Sequence, residues 1–155
     1  MTDEKIQLIA LIIASISALA AAVSAIYSAK SSRLTLELYK KDKEEKLLDE
    51  LNRILEIDIE YPYLESQGFT SKWNEYRMSD DERYLRYDMY CNLLFNYLHH
   101  VFEHFDKNKE KVENFVDVKS WVRMHKQSWQ NPMDESGNVD GYDEPFRNFI
   151  NSYIF

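Results

Sequence analysis

The chain has 155 residues, with 19 Lys and Arg against 27 Asp and Glu, a formal net charge of −8, and it is 45% hydrophobic and 14% aromatic. That length fits one domain of ordinary size plus one appended segment and excludes a two-domain enzyme, while the apolar content excludes a disordered chain. Only three Gly and three Pro interrupt the sequence, which argues against a Gly-rich phosphate loop or a hairpin array and favours long helices.

Ile6 to Ala29 forms a run of 24 residues without a charge. At about 1.5 Å per residue it crosses a hydrocarbon core of about 30 Å with some tilt. The triplets Val23-Ser24-Ala25 and Tyr27-Ser28-Ala29 could be cut as in a secretory signal. The run is longer than a signal core, however, and Asp3 and Glu4 make its head poor in positive charge. Residues 1–29 are therefore expected to be an uncleaved membrane anchor with a short head. Lys5 alone precedes the span, whereas Lys30, Arg33, Lys40, Lys41, Lys43 and Lys46 follow it. The positive-inside rule then puts the C-terminal part in the cytoplasm. The single Cys91 and the lack of an Asn-x-Ser/Thr site agree with a reducing compartment.

The span has two unlike faces. Ala10, Ala14, Ser17, Ala21, Ser24 and Ser28 recur at alternating spacings of four and three, and Ile9, Ile12, Ile16, Leu19, Val23 and Ile26 repeat in the same rhythm on the other side. Lipid is as apolar as the bulky face, so only the small face gains by meeting another helix, where backbones approach closely and Ser hydroxyls bond across the contact. Self-association is the consequence, and a ring of such helices would line a narrow pore with the Ala/Ser face.

From residue 30 to about 60 the helix is expected to continue as a juxtamembrane stalk that ends before Pro62. Tyr39 to Lys46 is almost wholly charged, a solvated stretch, and Leu47, Leu48, Leu51, Ile54 and Leu55 give an apolar stripe that Asp58 interrupts. Residues 61–155 are expected to form a cytosolic helical bundle. A loop around Gln67-Gly68 leads to a short helix near Ser71 to Arg77 that carries Trp73 and Tyr76. Ser79 or Asp80 caps the central helix, Asp81 to about Asp106, with its stripe of Tyr87, Cys91, Leu94, Leu98, Val101 and Phe105 widened by Tyr84, Phe95 and Phe102. A third helix runs from about Lys109 to Trp129 with Val112, Phe115, Val118 and Val122 on one side. After an acidic loop, Asn131 to Glu144, a closing helix over Pro145 to Ile154 turns Phe146, Phe149, Ile150 and Tyr153 inward. The expected fold is all-α: one N-terminal transmembrane helix that continues into a stalk, then a cytosolic helical bundle.

Charge is uneven along this part. Residues 30–46 hold six basic and four acidic side chains, a balance of +2, and residues 47–155 hold 12 basic and 21 acidic, a balance of −9. The basic flank suits anionic lipid. The acidic remainder repels nucleic acid, so no direct nucleic-acid partner is expected.

Three constellations bear on chemistry. His100-Val101-Phe102-Glu103-His104 matches H-x-x-E-H, in which two His one helical turn apart bind zinc beside a water-activating Glu. The five residues lack a third ligand at a distinctive spacing, so His100 and His104 are read as a structural or surface pair. Ser136, Asn138, Asp140 and Gly141 approach a calcium loop, but Ser136 stands at its first ligand position and Arg147 at its last, which favours a solvated turn. Arg123-Met124-His125 brings an Arg and a His together at a spacing of only one residue, and no Arg in the chain precedes a His by four to six. Arg83 and Arg86 are read as packing against their neighbouring tyrosines. No enzymatic activity and no cofactor are expected.

One membrane helix and a long stalk, followed by Trp121, Trp129, Pro132 and a terminal Pro145-Phe146-Arg147-Asn148-Phe149-Ile150, resemble small bacterial single-pass membrane proteins with a helical cytosolic domain. The layout is similar to the membrane accessory protein of type VI-B CRISPR systems, a family associated with ring-shaped membrane assemblies and a ribonuclease-like Arg/His motif. That resemblance implies antiphage defence, homo-oligomers and a cytosolic defence protein as partner. The chain lacks the Arg-x4-6-His pair, so a ribonuclease role is not carried over. Two functions follow as expectations: a non-enzymatic effector that assembles through its transmembrane helix and permeabilises the membrane, or a membrane tether whose bundle recruits a cytosolic partner.

Overall fold

The structure, a computed structural model, describes residues 3–134 and 136–154. Every regular element among them is helical, in the order α1 (Asp3–Glu60), a 3-10 turn (Pro62–Glu65), α2 (Gln67–Thr70), α3 (Trp73–Tyr76), α4 (Glu82–His104), α5 (Lys109–Phe115), α6 (Val118–Gln130), α7 (Gly137–Asp140) and α8 (Glu144–Asn151). The chain divides into two compact units, residues 1–44 and 45–155, with the division inside α1.

In the first unit α1 is the only element, and its described side chains are all exposed. It is the one helix among the described residues long and apolar enough to cross a membrane, and no part of its apolar stretch is buried by the rest of the chain. A core helix of comparable composition would be covered by its neighbours. Ser15 and Thr35 turn their hydroxyls back onto the carbonyls of Leu11 and Ser31, at 2.8 and 3.0 Å, which satisfies these polar groups within the helix.

The second unit is built around α4. Tyr84, Tyr87, Tyr90, Cys91, Leu94, Phe95, Tyr97, Leu98, Val101 and Phe102 are buried on it, so it meets neighbours on several sides, as a central helix must. The expected stripe is therefore inside, except that Phe105 is only partly buried. The last four turns of α1 belong to this unit because Leu47 and Ile54 are buried there and Leu51 and Ile57 pack against the same core. Leu48 and Leu55 depart from the expected stripe, being 45% and 43% exposed against 0% for Ile54. The buried arc is centred on 47, 51, 54 and 58, so Leu48 and Leu55 fall on its edge and Asp58 falls within it.

Local capping chemistry sets the remaining boundaries. Asp81, rather than Ser79 or Asp80, caps α4: its carboxylate accepts from the Arg83 amide at 2.9 Å, and its backbone is extended where the two preceding residues would have had to be. The expected single helix over Lys109 to Trp129 is two helices, because Val116 is extended and Asp117 caps α6 by accepting from the Ser120 amide at 3.1 Å. Asn108 and Asp143 cap α5 and α8 in the same way, accepting from Lys111 and Phe146. The region read as a loop around Gln67-Gly68 is instead the 3-10 turn, started by Pro62, followed directly by α2. Within the acidic loop, Gly137–Asp140 forms the single turn α7, and Glu135 lies outside the described residues.

Aromatic side chains fill both ends of the core. Phe69 stacks on Tyr84 at 4.4 Å and meets Tyr87 edge-on, with Trp73 5.3 Å from Tyr87. At the other end Phe102 stacks on Phe149 at 4.5 Å, and Phe146, Phe149, Ile150 and Tyr153 are buried as the closing helix was expected to bury them. Such pairs contribute roughly 0.5–1.5 kcal/mol each beyond the area they bury. Arg86 lies 4.3 Å from the Tyr61 ring and donates to the Tyr63 hydroxyl at 2.9 Å, the packing expected of it.

Candidate functional site

On α1 the small and bulky faces keep the separation read from the sequence. Ala14, Ser17, Ala21, Ser24 and Ser28 lie on an exposed face, and Ile9, Ile12, Ile16, Leu19, Val23 and Ile26 are also exposed. The side chain of Ala10 lies outside the described residues. Nothing chemical is available on this face beyond hydroxyls and methyls, so what it can do is pack.

The H-x-x-E-H residues do not form one set. The His100 Nδ1 is 3.0 Å from the Glu50 carboxylate on α1, and the His104 ring lies against Phe105. Glu103 turns instead to His99, whose Nε2 is 4.0 Å from it and 3.8 Å from Asp143. His99, Glu103 and Asp143 offer ligand atoms within 4.8 Å of one another, the residues that could hold a divalent ion. A cation is already present, however. Asp106 and Lys107 end α4 in the left-handed conformation, with φ of 52° and 63°, and the Lys107 ammonium lies 3.1 Å from Glu103 and 2.8 Å from Asp143. The Lys107 hydrogen bond holds the Asp143 carboxyl below its usual range, while burial opposes it. Since Asp143 also caps α8, the cluster ties the end of α4 to the start of α8. Asn138, the second residue of the calcium-like alignment, donates to the Trp129 carbonyl rather than turning its oxygen to a shared centre.

The most developed polar site lies in the core. His125, on the apolar face of α6, is fully buried. Its Nε2 is 2.8 Å from Glu65 Oε1 and its Nδ1 is 2.9 Å from the Tyr87 hydroxyl. A carboxylate only accepts, so Nε2 carries the proton and Nδ1 accepts from Tyr87. Tyr90 donates to the same Glu65 oxygen at 2.5 Å. Burial raises the Glu65 carboxyl, but the hydrogen bonds it accepts from His125 and the Tyr90 hydroxyl bring it below its ordinary value. Burial raises the Asp58 carboxyl on α1, against the favourable Tyr90 hydroxyl and with the Glu65 charge adding to the rise. The Asp58 Oδ1 is buried and has no hydrogen-bond partner among the described residues.

Cys91 Sγ lies 3.9 Å from His125 Nδ1, so a thiol, an imidazole and a carboxylate follow one another as they do in a cysteine nucleophile. The rest of the geometry points away from that chemistry. Burial pushes the Cys91 thiol up to about 12, the Tyr87 hydroxyl holds the nitrogen that would take its proton, and none of the described cavities opens onto the group. The network joins the end of α1, the 3-10 turn, α4 and α6 through hydrogen bonds. It acts as a lock. Arg123, two residues from His125 in sequence, is exposed on another face of α6, so the two do not act on one centre.

No protein-family model, no curated protein and no solved structure matches the chain.

Proposed function

We propose that this is a single-pass protein of the bacterial inner membrane whose helical unit faces the cytoplasm and which works without chemistry of its own. Copies associate through the Ala/Ser face of α1, and assembly perturbs or permeabilises the membrane, in the setting of antiphage defence. The observation that supports this reading is the first unit of α1: 24 consecutive residues without a charge, whose described side chains are all exposed, with small side chains gathered on one face. In lipid that arrangement favours helix against helix through the small face, since the bulky face gains nothing by leaving lipid. The basic flank from Lys30 to Lys46 supports the cytoplasmic orientation.

The test is expression in bacteria with a membrane-potential dye. The native chain depolarises the membrane, and Ala21→Leu, which blocks close backbone approach, abolishes this at equal membrane abundance. Depolarisation by the Ala21→Leu chain would refute the helix-face reading. A second reading, a tether whose helical unit recruits a cytosolic partner, is favoured by Arg123 and Lys126, which line an open groove on α6 and make no ion pair among the described residues. Exchange of residues 6–29 for an unrelated anchor separates the two readings, because a tether keeps its function and an assembling effector loses it.

A further inference from the structure

We propose that the groove between α2 and α6 binds a short acidic peptide segment of a partner protein. The groove has a volume of about 400 Å³ and is lined by Gln67 and Ser71 on one side and by Ser120, Arg123, Lys126 and Gln127 on the other. Its size lies within the usual range for ligand sites, roughly 300–1,000 Å³. This inference does not depend on what α1 does in the membrane.

The charge of the groove runs against that of the unit that contains it. Residues 47–155 carry a balance of −9, and three cations of this unit are held by its own acids, Arg83 by Asp81, Arg86 by Glu82, and Lys107 by Glu103 and Asp143. Arg123 and Lys126 make no ion pair and no hydrogen bond among the described residues, and α6 contains no Asp or Glu. Lys119 precedes them one turn earlier on the same face, four and seven residues away, and is also exposed. The α6 cap Asp117 attracts Lys119 electrostatically but gives its hydrogen bond to the Ser120 amide.

Spacing distinguishes a linear ligand from a point charge. Arg123 and Lys126 line the groove about 4.5 Å apart along α6, at about 1.5 Å per residue, and Lys119 continues the same face about 6 Å beyond Arg123, outside the groove. An extended peptide places alternate side chains about 6.6 Å apart, so acids at alternate positions meet successive cations. The Arg123 guanidinium can hold a carboxylate through two parallel hydrogen bonds. A single phosphate would instead call for donors converging on one point.

Two further features favour peptide over nucleic acid. Gln127 lines the groove with an amide that both donates and accepts, which matches a peptide backbone with its N–H and C=O, whereas a phosphodiester backbone offers acceptors alone. The floor, where Thr70 donates to the Met124 sulfur at 3.5 Å, is apolar and accepts peptide methylenes. The surrounding negative charge limits the ligand to a few residues, since a long polyanion would be repelled beyond the ends of the groove.

The test uses the full-length protein in mild neutral detergent and fluorescence anisotropy with a labelled eight-residue peptide of alternating Glu and Gly. The peptide binds saturably, its Gln/Gly counterpart binds at least tenfold more weakly, and Arg123→Gln with Lys126→Gln weakens the Glu peptide at least tenfold. Gln127→Leu, which changes no charge, weakens it severalfold, whereas Lys111→Gln on α5 leaves it unchanged and reports an intact fold. The proposal is overturned if binding does not saturate, if the Gln peptide binds equally, or if the double variant binds as the native protein does. It is also overturned if an eight-nucleotide oligothymidylate binds more tightly than the Glu peptide, since the groove would then be a nucleic-acid site.

Discussion

Replacement of His125 by Ala removes the joint of the core network, and the structure sets the size of the effect. The side chain is fully buried and makes one hydrogen bond to Glu65 at 2.8 Å and one with Tyr87 at 2.9 Å. Tyr87 is itself fully buried, so its hydroxyl loses its nitrogen acceptor and keeps only the weak Cys91 sulfur, which costs about 1–3 kcal/mol. Glu65 keeps the Tyr90 donor and is partly exposed, so its loss is smaller. The cavity left by the imidazole adds about 2 kcal/mol, the low end of large-to-small core substitutions. The sum, about 3–5 kcal/mol, is a large part of the ordinary stability of a domain, about 5–15 kcal/mol. It corresponds to a fall in Tm of the order of 15 °C. Urea denaturation followed by Trp fluorescence, in mild detergent, measures it. Tyr87→Phe in the His125→Ala background removes the orphaned hydroxyl, so the double variant is more stable than the sum of the single losses predicts, by at least ~1 kcal/mol. Additive losses, within about 0.5 kcal/mol, would refute the claim that the Tyr87–His125 hydrogen bond carries the effect.

The two carboxyls beside this network respond to pH in opposite senses. Burial raises the Asp58 carboxyl in the folded chain, so its ionised form costs stability at neutral pH and the cost fades as pH falls through the folded value. Asp58→Asn therefore raises the Tm at pH 7, and the gain shrinks toward pH 4; an equal gain at both would contradict the assignment. Glu65, held below its ordinary value by His125 and Tyr90 against the cost of burial, contributes stability above about pH 4.3. That contribution is lost as pH falls through the folded value, so Glu65→Gln removes a stabilisation that native protein has at pH 7 and lacks in strong acid. The register of α1 is tested by truncation. Ile54→Ala costs about 2–5 kcal/mol, whereas Leu55→Ala, at a half-exposed position, costs under ~1 kcal/mol, and similar losses at the two sites would mean that α1 is docked through another face.

Periodicity made the strongest helices readable. The buried faces of α4 and α8 follow from apolar residues three and four apart, and Phe146, Phe149, Ile150 and Tyr153 fall where that spacing puts them. Boundaries were less readable because they depend on single capping contacts. Asp117 followed by Ser120 is a capping signal that an uninterrupted reading of Lys109 to Trp129 passes over. Asp58 reads as an interruption of an apolar stripe, yet it lies on the buried arc, where the Tyr90 hydroxyl makes a carboxyl tolerable. The core network could not be found from local spacing, because Asp58, Glu65, Tyr90 and His125 come from four elements. One signal was present: His125 continues the stripe of Val118, Val122 and Trp129 at helical spacing, and a histidine on an apolar stripe needs partners for both nitrogens. The approach of Cys91 to His125 is likewise hidden from local spacing, since the two are 34 residues apart. The cationic groove is hidden in the charge balance of residues 47–155, which averages over a face that α6 presents.

Self-association through the small face of α1 is the claim on which the proposed function stands, and the native mass of the full-length chain in mild detergent tests it most directly. A single closed oligomer of the native chain, reduced to a monomer by Ala21→Leu, is the predicted result. A monomeric native chain, or an oligomer that Ala21→Leu leaves intact, would contradict it.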